Sequence, residues 1–436
     1  MLLLTGINQI IFITNKKQSI EGNTFMKRIL SVKFIVFPIV LISLFYFLEG
    51  CALHSTHVYL TWQGDPHTTM TINVQSIGKD YPVEVLYGDK SCAKNPQSYQ
   101  YQVNGVSKTI PEVEPQRNVH TFELTNLTPG ALYYFTLKTF QGKYSKEYKF
   151  RTIPNDGSTL RFVIGGDMGI LPAAPRLLSY AARKDPQFLV IGGDIAYANG
   201  DPKNDWIWDI WFNNWEKNME TSEGCLIPVV AGIGNHEVNK KDASLPQEER
   251  APFYFGYFAQ GGKTFFSRAF SPYLSLIVLD SSHITPISEQ VEWLKSTLQS
   301  SINYPYIILV YHVPLYPSHR SFDGEVSVEE RKLWLPLFDE YKVNVCFENH
   351  DHTFKRTKPM RNGQVVEGGT VYLGDGCFGV NPRTIENFSL GYLEKADSKR
   401  HFWYVEINAN ELKAQAIDDN GNLFDEVTIL PRKTGK

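Results

Sequence analysis

Residue types that bind metal ions follow a series of short apolar segments in this chain of 436 residues. Carboxylate, imidazole and amide side chains suit iron, manganese and zinc, and two metal ions that share one carboxylate need about three further ligands each. The sequence supplies enough of them in the groups Gly-Gly-Asp167, Gly-Gly-Asp194, Gly-Asn235-His236-Glu237, Leu279-Asp280, Tyr311-His312 and Glu-Asn-His350-Asp-His352. Their repetition at the ends of apolar segments favours a site for two metal ions.

The apolar segments indicate how these groups are brought together. Each is a continuous apolar run, which is typical of strands buried on both faces of a sheet. Stretches with helical spacing, residues 173–183, 288–299 and 327–341, alternate with the runs and indicate the α/β class. Since ligands of α/β sheets lie at the carboxyl ends of strands, we expect the polar groups to share one edge. Residues 402–407 and 412–417 predict strands that close the same domain, residues 160–436.

Two further stretches of this domain invite a functional interpretation. The Trp-rich residues 205–215 resemble a sugar-binding platform, but their apolar side chains recur at helical spacing and predict a packed helix. The glycine cluster at residues 374–379 resembles a phosphate cradle. It lacks the Lys-Ser/Thr pair of a phosphate-binding loop, so we expect a turn below the site.

An all-β domain is predicted in front, over residues 55–155. Residues 69–74, 83–87 and 133–137 have the β-branched and aromatic content of strands and are bounded by turn residues. Such strands within about 100 residues indicate a β-sandwich. Residues 124–133 (LTNLTPGALY) also resemble a fibronectin type III pattern, in which the hydroxyl of Tyr133 would bond back to the preceding corner. Residues 155–159 (NDGST) predict a hinge to the next domain.

The metal-binding groups, in their order along the chain, resemble the five sequence blocks of the purple acid phosphatases, which are calcineurin-like metallophosphoesterases. Most other members of that superfamily have His two residues after the first Asp, whereas this chain has Gly169 there and supplies Tyr197 instead. The resemblance implies a four-layer αββα sandwich, preceded by an all-β domain similar to fibronectin type III. It covers nearly all of the chain after residue 51.

The same resemblance implies the metal ligands. A ferric ion would be bound by Asp167, Asp194, Tyr197 and His352, and a divalent ion (Fe, Zn or Mn) by Asp194, Asn235, His312 and His350, with Asp194 bridging the two. Phenolate and carboxylates are hard donors that suit Fe(III), and a neutral amide with two imidazoles suits a divalent ion.

The implied reaction is the hydrolysis of phosphate monoesters, in which a metal-bound hydroxide attacks phosphorus in line. His236 is the first candidate for contact with the phosphate and the leaving-group oxygen, beside Asn235, and His319 is the other candidate acid. Glu237 is expected to anchor its loop. Two alternatives remain open: a phosphodiesterase or nucleotidase with the same metals, and a surface-binding lipoprotein whose phosphatase domain is vestigial.

One departure from the family pattern lies in the last block, where Asn349 stands in the place of the usual Gly. Asparagine tolerates a left-handed backbone, so we expect the turn to survive the change.

Composition excludes several other classes of protein. The chain has 43 Lys+Arg and 46 Asp+Glu, a net charge of −3, which is not the balance of a basic nucleic-acid binder. Five cysteines are too few for a disulfide scaffold. The family resemblance implies a small phosphate ester as the partner, and the charge balance predicts that nucleic acid is not a partner.

The first 51 residues predict export. Met26-Lys27-Arg28 and the apolar residues 29–48 form an export signal. The following Leu48-Glu49-Gly50-Cys51 resembles the lipobox of bacterial lipoproteins, in which Cys51 would be acylated; an uncleaved signal anchor is the alternative. Either predicts a membrane-anchored protein on the periplasmic or cell-surface side. Residues 1–25 are expected to be an upstream extension, with Met26 as the alternative start.

Overall fold

The computed structural model describes residues 57–78, 81–239 and 242–432. The predicted export signal and Cys51 lie outside these residues. Among the described residues, no helix combines the length and the apolar character needed to cross a bilayer.

The N-terminal part is a sandwich of two antiparallel sheets, with strand orders β1-β2-β6-β5 and β4-β3-β7-β8. The strands are β1 (Val58–Thr61), β2 (Met70–Ile77), β3 (Pro82–Gly88), β4 (Tyr101–Asn104), β5 (Val106–Thr109), β6 (Arg117–Leu124), β7 (Leu132–Thr139) and β8 (Tyr148–Arg151). The backbone N–H of Thr128 donates to the hydroxyl of Tyr133 at 3.0 Å, which is the bond expected at that corner. The all-β domain is confirmed, whereas its finer likeness to fibronectin type III stays a prediction.

Two larger sheets follow, and each contains a group of parallel strands. Their orders are β11-β10-β9-β21-β22-β23 and β12-β13-β14-β15-β19-β16-β20. The strands are β9 (Leu160–Gly165), β10 (Phe188–Ile191), β11 (Val229–Ala231), β12 (Phe266–Phe270), β13 (Leu274–Val278), β14 (Tyr306–Val310), β15 (Val345–Phe347), β16 (Phe354–Thr357), β19 (Val371–Gly374), β20 (Leu393–Asp397), β21 (His401–Ile407), β22 (Leu412–Asp418) and β23 (Leu423–Ile429). A separate two-stranded hairpin is formed by β17 (Met360–Arg361) and β18 (Gln364–Val365).

Helices cover the outer faces of both sheets. They are α1 (Ala173–Ala182), α2 (Asp205–Asn218), α3 (Gln247–Arg250), α4 (Pro252–Tyr257), α5 (Ile287–Ser300), α6 (Glu325–Leu333) and α7 (Leu335–Glu340). Alternate side chains of each buried strand enter different cores: Phe162 and Ile164 of β9 pack between the sheets, whereas Val163 packs toward α1 and α2. On the other sheet Ile308 faces the inner core and Ile307 packs toward α5 and α7. The predicted mixed α/β metallophosphoesterase fold is confirmed.

The Trp-rich residues form α2, as predicted. Trp208, Trp211 and Trp215 are buried in the core beneath β9 and β10. The same helix binds the N-terminal domain, because the buried guanidinium of Arg117 pairs with Asp205 at 3.1 Å and with Asp209. A packing role therefore accounts for this stretch.

The single helix predicted over residues 327–341 is wrong, because the structure has two short helices, α6 and α7, that meet at Trp334. Pro336 explains the break. Proline has no backbone N–H to donate to the preceding turn, and its fixed φ favours the first turn of a new helix.

Candidate metal centre

The predicted ligands follow the carboxyl ends of neighbouring strands, and their backbones turn sharply there. Five of them have positive φ: Asp167 (55°), Asp194 (52°), Tyr197 (67°), His350 (76°) and His352 (57°). Such conformations are uncommon outside glycine and cluster at functional sites. The turns also bind one another, because the N–H of Asp167 donates to Gly193 and that of Met168 donates to Asp194. The side chains are thereby aimed at one point.

Asp167, Tyr197 and His352 form one group of donors. The Tyr197 hydroxyl donates to Oδ1 of Asp167 at 2.9 Å and lies 3.0 Å from Nε2 of His352. His352 Nε2 is itself 3.0 Å from the same Oδ1. A phenol oxygen, a carboxylate oxygen and an imidazole nitrogen are therefore close enough to share one ion.

Asp194, His312 and His350 form a second group, whose ligand atoms all lie within 4.8 Å of one another. Nε2 of His312 is 3.3 Å from Oδ2 of Asp194 and 3.1 Å from Nδ1 of His350. On its other side, Nδ1 of His312 donates to the carbonyl of Gly192 at 3.0 Å. That bond fixes the tautomer and leaves the Nε2 lone pair aimed into the site, as in metal-binding histidines.

The two groups are joined through Asp167. Its Oδ2 accepts the backbone N–H of His350 at 2.9 Å, while its Oδ1 faces Tyr197 and His352. The carboxylate is fully buried. It therefore sets the distance between the two donor groups.

The donor atoms fit a bound cation. Oδ2 of Asp194 is buried and has no hydrogen-bond partner among the described residues. Such an atom is costly unless something pairs with it. The lone pair of His312 and the Nδ1 of His350 converge beside it, where a metal ion would satisfy all three.

The pKa shifts indicate the same demand for positive charge. Burial by itself would raise the pKa of Asp194, but the neighbouring His312 outweighs burial and holds that pKa well below its usual range. Burial would lower the pKa of His312, yet the carboxylates of Asp194 and Asp167 raise it to about 10. These carboxylates thus stabilise a cation at the position where a metal ion would be bound.

Asn235 and His236 lie at the rim. Asn235 is exposed at the start of a short 3₁₀ helix, Asn235–Glu237. The backbone N–H of His236 donates to Oδ1 of Asp194 at 2.8 Å, and its ring packs on Tyr197 with a centroid distance of 4.3 Å. Nδ1 of His236 is bonded to the side-chain oxygen of Asn199. The His236 ring is therefore held over both donor groups with about a third of its side chain exposed.

Glu237 fastens this rim to the Asp194 turn. Its Oε2 accepts the N–H groups of Asp194 and Gly234, and its Oε1 accepts that of Ile195, each at 2.8 Å. Burial, together with the charge of Asp194, raises the pKa of Glu237 to about 7. Glu237 thus has the contacts of the anchor that the sequence predicted.

Asp351, between two predicted ligands, performs a task that the sequence did not reveal. Its buried Oδ2 accepts the backbone N–H groups of Ser318 (2.8 Å), His319 (2.7 Å) and Arg320 (3.2 Å). Nδ1 of His319 in turn donates to the carbonyl of Thr384 at 2.9 Å. Asp351 therefore ties the loop with the second candidate acid to the last ligand block, although more than 30 residues of sequence separate the two.

A buried charge network supports this loop from below. Lys355 is fully buried and pairs with Glu348 and, at 3.1 Å, with Asp375. Glu348 accepts the Tyr311 hydroxyl at 2.6 Å and the Leu315 N–H at 2.7 Å, which places its charge directly beneath the strand end at His312. No sequence pattern predicts this network, because the partners of a buried ion pair have no fixed spacing along the chain.

Asn349 keeps the turn, but for a different reason from the one expected. The left-handed residues of the last block are His350 and His352, and Asn349 is not among them. Its side chain donates to the Tyr311 carbonyl at 2.8 Å. A Cβ on Gly166 or Gly192 would lie 2.3 Å and 2.0 Å from its amide atoms, so the amide occupies space that these two glycines leave open.

The glycine cluster is packed against the site, in agreement with the predicted turn. Gly376 has a φ of 65°, and a Cβ there would lie 1.9 Å from Oδ2 of Asp167 and 2.6 Å from the nitrogen of His350. Gly376 therefore makes room for the Asp167 carboxylate.

Two family models match the chain. "Purple acid Phosphatase, N-terminal domain" matches residues 55–152, and "Calcineurin-like phosphoesterase" matches residues 160–354. Purple acid phosphatase 21 of Arabidopsis thaliana is 23% identical over 393 residues, which are 82% of this chain and 83% of that protein. Fe(3+)-Zn(2+) purple acid phosphatase 12 of the same plant is 25% identical over 278 residues, 57% of each chain.

A solved structure shares the fold. The purple acid phosphatase from yellow lupin (Lupinus luteus) seeds superposes with a TM-score of 0.71 at 19% identity, covering 86% of this chain and 74% of that one.

Proposed function

The chain belongs to the purple acid phosphatase family of calcineurin-like metallophosphoesterases, and we propose that it hydrolyses phosphate monoesters with a centre of Fe(III) and a divalent metal. Its two matched domains, in their order, and a relative whose name specifies Fe(3+) and Zn(2+) support the proposal.

One observation carries this function: Oδ2 of Asp194, a buried carboxylate oxygen with no hydrogen-bond partner among the described residues, faces two imidazole nitrogens. The adjacent group of Asp167, Tyr197 and His352 supplies the phenolate and carboxylate that Fe(III) prefers. We assign Asp167, Asp194, Tyr197 and His352 to the ferric ion, and Asp194, Asn235, His312 and His350 to the divalent ion.

When bound, the metal pair neutralises the phosphate and activates a water for in-line attack. The protein's part is orientation. Gly192 holds the His312 ring, Glu237 holds the Asp194 turn, and Asp167 joins the two donor groups. A fixed arrangement of this kind avoids reorganisation during the reaction.

Two histidines can donate a proton to the departing oxygen. His236 has Nδ1 engaged by Asn199, and its Nε2 lies 3.8 Å from Oδ2 of Asp194, on the side of the ring where the phosphate and leaving group would bind. His319 has Nδ1–H bound to the Thr384 carbonyl, which leaves its Nε2 for the departing oxygen. We assign phosphate contact to Asn235 and His236, and the acid role to His236 with His319 as the second candidate.

Metal analysis and visible absorption test the ferric site. Purified protein should contain iron and show a tyrosinate charge-transfer band, which Tyr197→Phe abolishes. Tyr180→Phe, a matched change on α1, should leave the band unchanged. Iron-free wild-type protein, or an Asp194→Asn variant that hydrolyses p-nitrophenyl phosphate at the wild-type rate, would disprove the assignment.

Substrate comparison separates the monoesterase from its alternatives. The proposal expects p-nitrophenyl phosphate to be hydrolysed faster than bis(p-nitrophenyl) phosphate, with both activities lost to a chelator. The reverse order would indicate a phosphodiesterase. A protein that binds no metal and hydrolyses neither ester would indicate the vestigial domain of a surface-binding lipoprotein.

The proposed location is extracytoplasmic, with the protein held on the membrane by a lipid at Cys51 or by an uncleaved signal anchor. The support is the sequence of residues 26–51, a basic start, an apolar run and a lipobox-like end. Labelling with a radioactive fatty acid tests it: wild-type protein should incorporate the label, and Cys51→Ser should not. Equal labelling of both would remove Cys51 as the attachment site.

A further inference from the structure

The tip of the β7–β8 hairpin, residues 138–146, exposes an aromatic ring that the fold holds in place. Phe140 is 69% exposed. Its ring stacks on Tyr81 with a centroid distance of 5.8 Å, and Tyr81 stacks in turn on the buried His120 at 5.2 Å. The backbone N–H of Phe140 also donates to the Tyr81 carbonyl at 2.9 Å. A fixed apolar ring therefore projects into solvent from the N-terminal domain.

Lysines accompany this ring. The hairpin tip (KTFQGKYSK) contains three lysines and no acidic residue. Lys143 and Lys146 are exposed, whereas Lys138 pairs with Glu84 at 3.0 Å. A single exposed Phe is ordinary on a protein surface, but an aromatic ring among lysines is the combination that binds the interface of an anionic bilayer.

The hairpin tip lies at the end of the sandwich where the described chain begins. His57, the first described residue, lies beside the end of β2, because its carbonyl accepts the N–H of Gln75 at 2.9 Å. β3 begins five residues after β2 ends, and its first residue, Pro82, pairs with Thr139 at the end of β7. So short a connection keeps these strand ends together, and His57 and Phe140 therefore share one end of the sandwich.

The proposed membrane anchor is close enough to bring this end to a bilayer. Cys51, the proposed site of the lipid, precedes His57 by six residues. Six residues span at most about 22 Å when fully extended, and the two sheets of a sandwich are about 10 Å apart. An anchor at or before Cys51 would therefore hold the hairpin tip near the lipid headgroups.

Acidic residues at this end of the sandwich belong to its other sheet. Glu112 and Glu114 lie in the turn between β5 and β6. Glu112 lines a crevice with Pro202 and Pro252 of the metallophosphoesterase domain. The β7–β8 side of this end therefore keeps its positive charge.

We propose that the hairpin tip docks on the surface of an anionic bilayer, with Phe140 in the interface and Lys143 and Lys146 against the headgroups. The inference rests on the proposed membrane location and is independent of the phosphatase activity. A lipid chain combined with a basic patch binds a bilayer more stably than a single chain does. The contact would also fix the orientation of the protein on the membrane.

Hydrogen exchange of the full chain reconstituted in vesicles tests the inference. Vesicles of phosphatidylcholine are compared with vesicles that also contain phosphatidylglycerol, which adds negative charge. An anionic surface favours each nearby lysine by a factor of about five, so Lys143 and Lys146 together predict about 25-fold slower exchange at residues 138–146 in the anionic vesicles. High salt should abolish this difference, because it screens the charges.

Two pairs of variants separate docking from a general change of the surface. Phe140→Ser should reduce the protection, and Lys146→Gln should reduce it about fivefold. Phe388→Ser, at an exposed ring of the metallophosphoesterase domain, should keep the protection, as should Lys332→Gln at an exposed lysine of the same domain. Exchange elsewhere in the chain reports whether each variant is folded.

Equal exchange at residues 138–146 in the two kinds of vesicle would overturn the inference, as would protection that persists in Phe140→Ser and Lys146→Gln. Flotation with neutral vesicles reports the anchor separately. Protein that floats only with anionic vesicles, and there shows the protection, would refute the proposed anchor and leave the docking site standing. Protein that floats with neither kind of vesicle would refute both.

Discussion

Gly376→Ala is expected to damage the metal centre. The added Cβ would lie 1.9 Å from Oδ2 of Asp167. Because a tolerable C···O contact is about 3.3 Å, the carboxylate must retreat by about 1.4 Å. This movement breaks the 2.9 Å bond from the His350 N–H and displaces Oδ1 from Tyr197 and His352.

A displacement of about 1 Å in a catalytic constellation can lower the rate by about 100-fold, and we expect that loss in kcat/KM for p-nitrophenyl phosphate. Iron content should fall with it, since Asp167 is a proposed ferric ligand. The variant also carries the cost of an alanine with positive φ, about 1 kcal/mol.

Gly363→Ala isolates the clash from that backbone cost. Gly363 has a φ of 69°, almost that of Gly376, but its Cβ would meet nothing within 4 Å. It should lose stability by about 1 kcal/mol and keep wild-type kcat/KM and iron content. If Gly376→Ala retains activity within threefold of Gly363→Ala, the packing of Gly376 against Asp167 does not position the ligand and the reasoning is refuted.

Three further outcomes follow from buried polar groups. Lys355→Met removes the buried cation between Glu348 and Asp375 and should lower the free energy of unfolding by about 3–5 kcal/mol in a denaturant titration. Lys395→Met, which removes the half-exposed partner of Asp425, should change it by less than about 1 kcal/mol. Glu237→Gln replaces one carboxylate oxygen by an amide donor, so one of the three backbone N–H groups that Glu237 binds would face another donor. The variant should lower the free energy of unfolding by about 1–3 kcal/mol and bind less metal. Unchanged metal content would contradict the anchoring role of Glu237. Burial lowers the pKa of His401 to about 4, so between about pH 6.5 and pH 4 the unfolded state binds a proton that the folded state does not. The free energy of unfolding should therefore fall by up to about 3 kcal/mol as the pH falls through that window. His401→Phe should flatten this dependence of stability on pH.

Local patterns were sufficient to predict much of the fold. The apolar runs that end at Asp167, Asp194 and His312 are strands, and the helical spacing of residues 205–215 is the packed helix α2. Burial on both faces leaves a continuous apolar run, and burial on one face leaves a helical period, so both can be read from sequence. Helical spacing alone predicts one helix over residues 327–341, because an apolar period does not register the break that Pro336 causes at Trp334.

Contacts between segments that are distant in the sequence cannot be predicted from such local patterns. The role of Asn349 was expected from its own backbone, but its side chain fills the space between Gly166 and Gly192. Asp351 shows the same limit, since its partners Ser318, His319 and Arg320 come from another loop. No spacing rule connects residues that meet only when strands pair.

The sequence by itself determined the fold class, the all-β domain in front and the set of residues proposed to bind metal, because each depends on residue types at the ends of recognisable strands. The tertiary structure decided the rest. It divided those residues into two donor groups joined by Asp167, left Oδ2 of Asp194 buried without a hydrogen-bond partner among the described residues, and attached Arg320 beside His350. These features arise where separate turns converge at a sheet edge, and such distances and burial are set by packing rather than by local sequence.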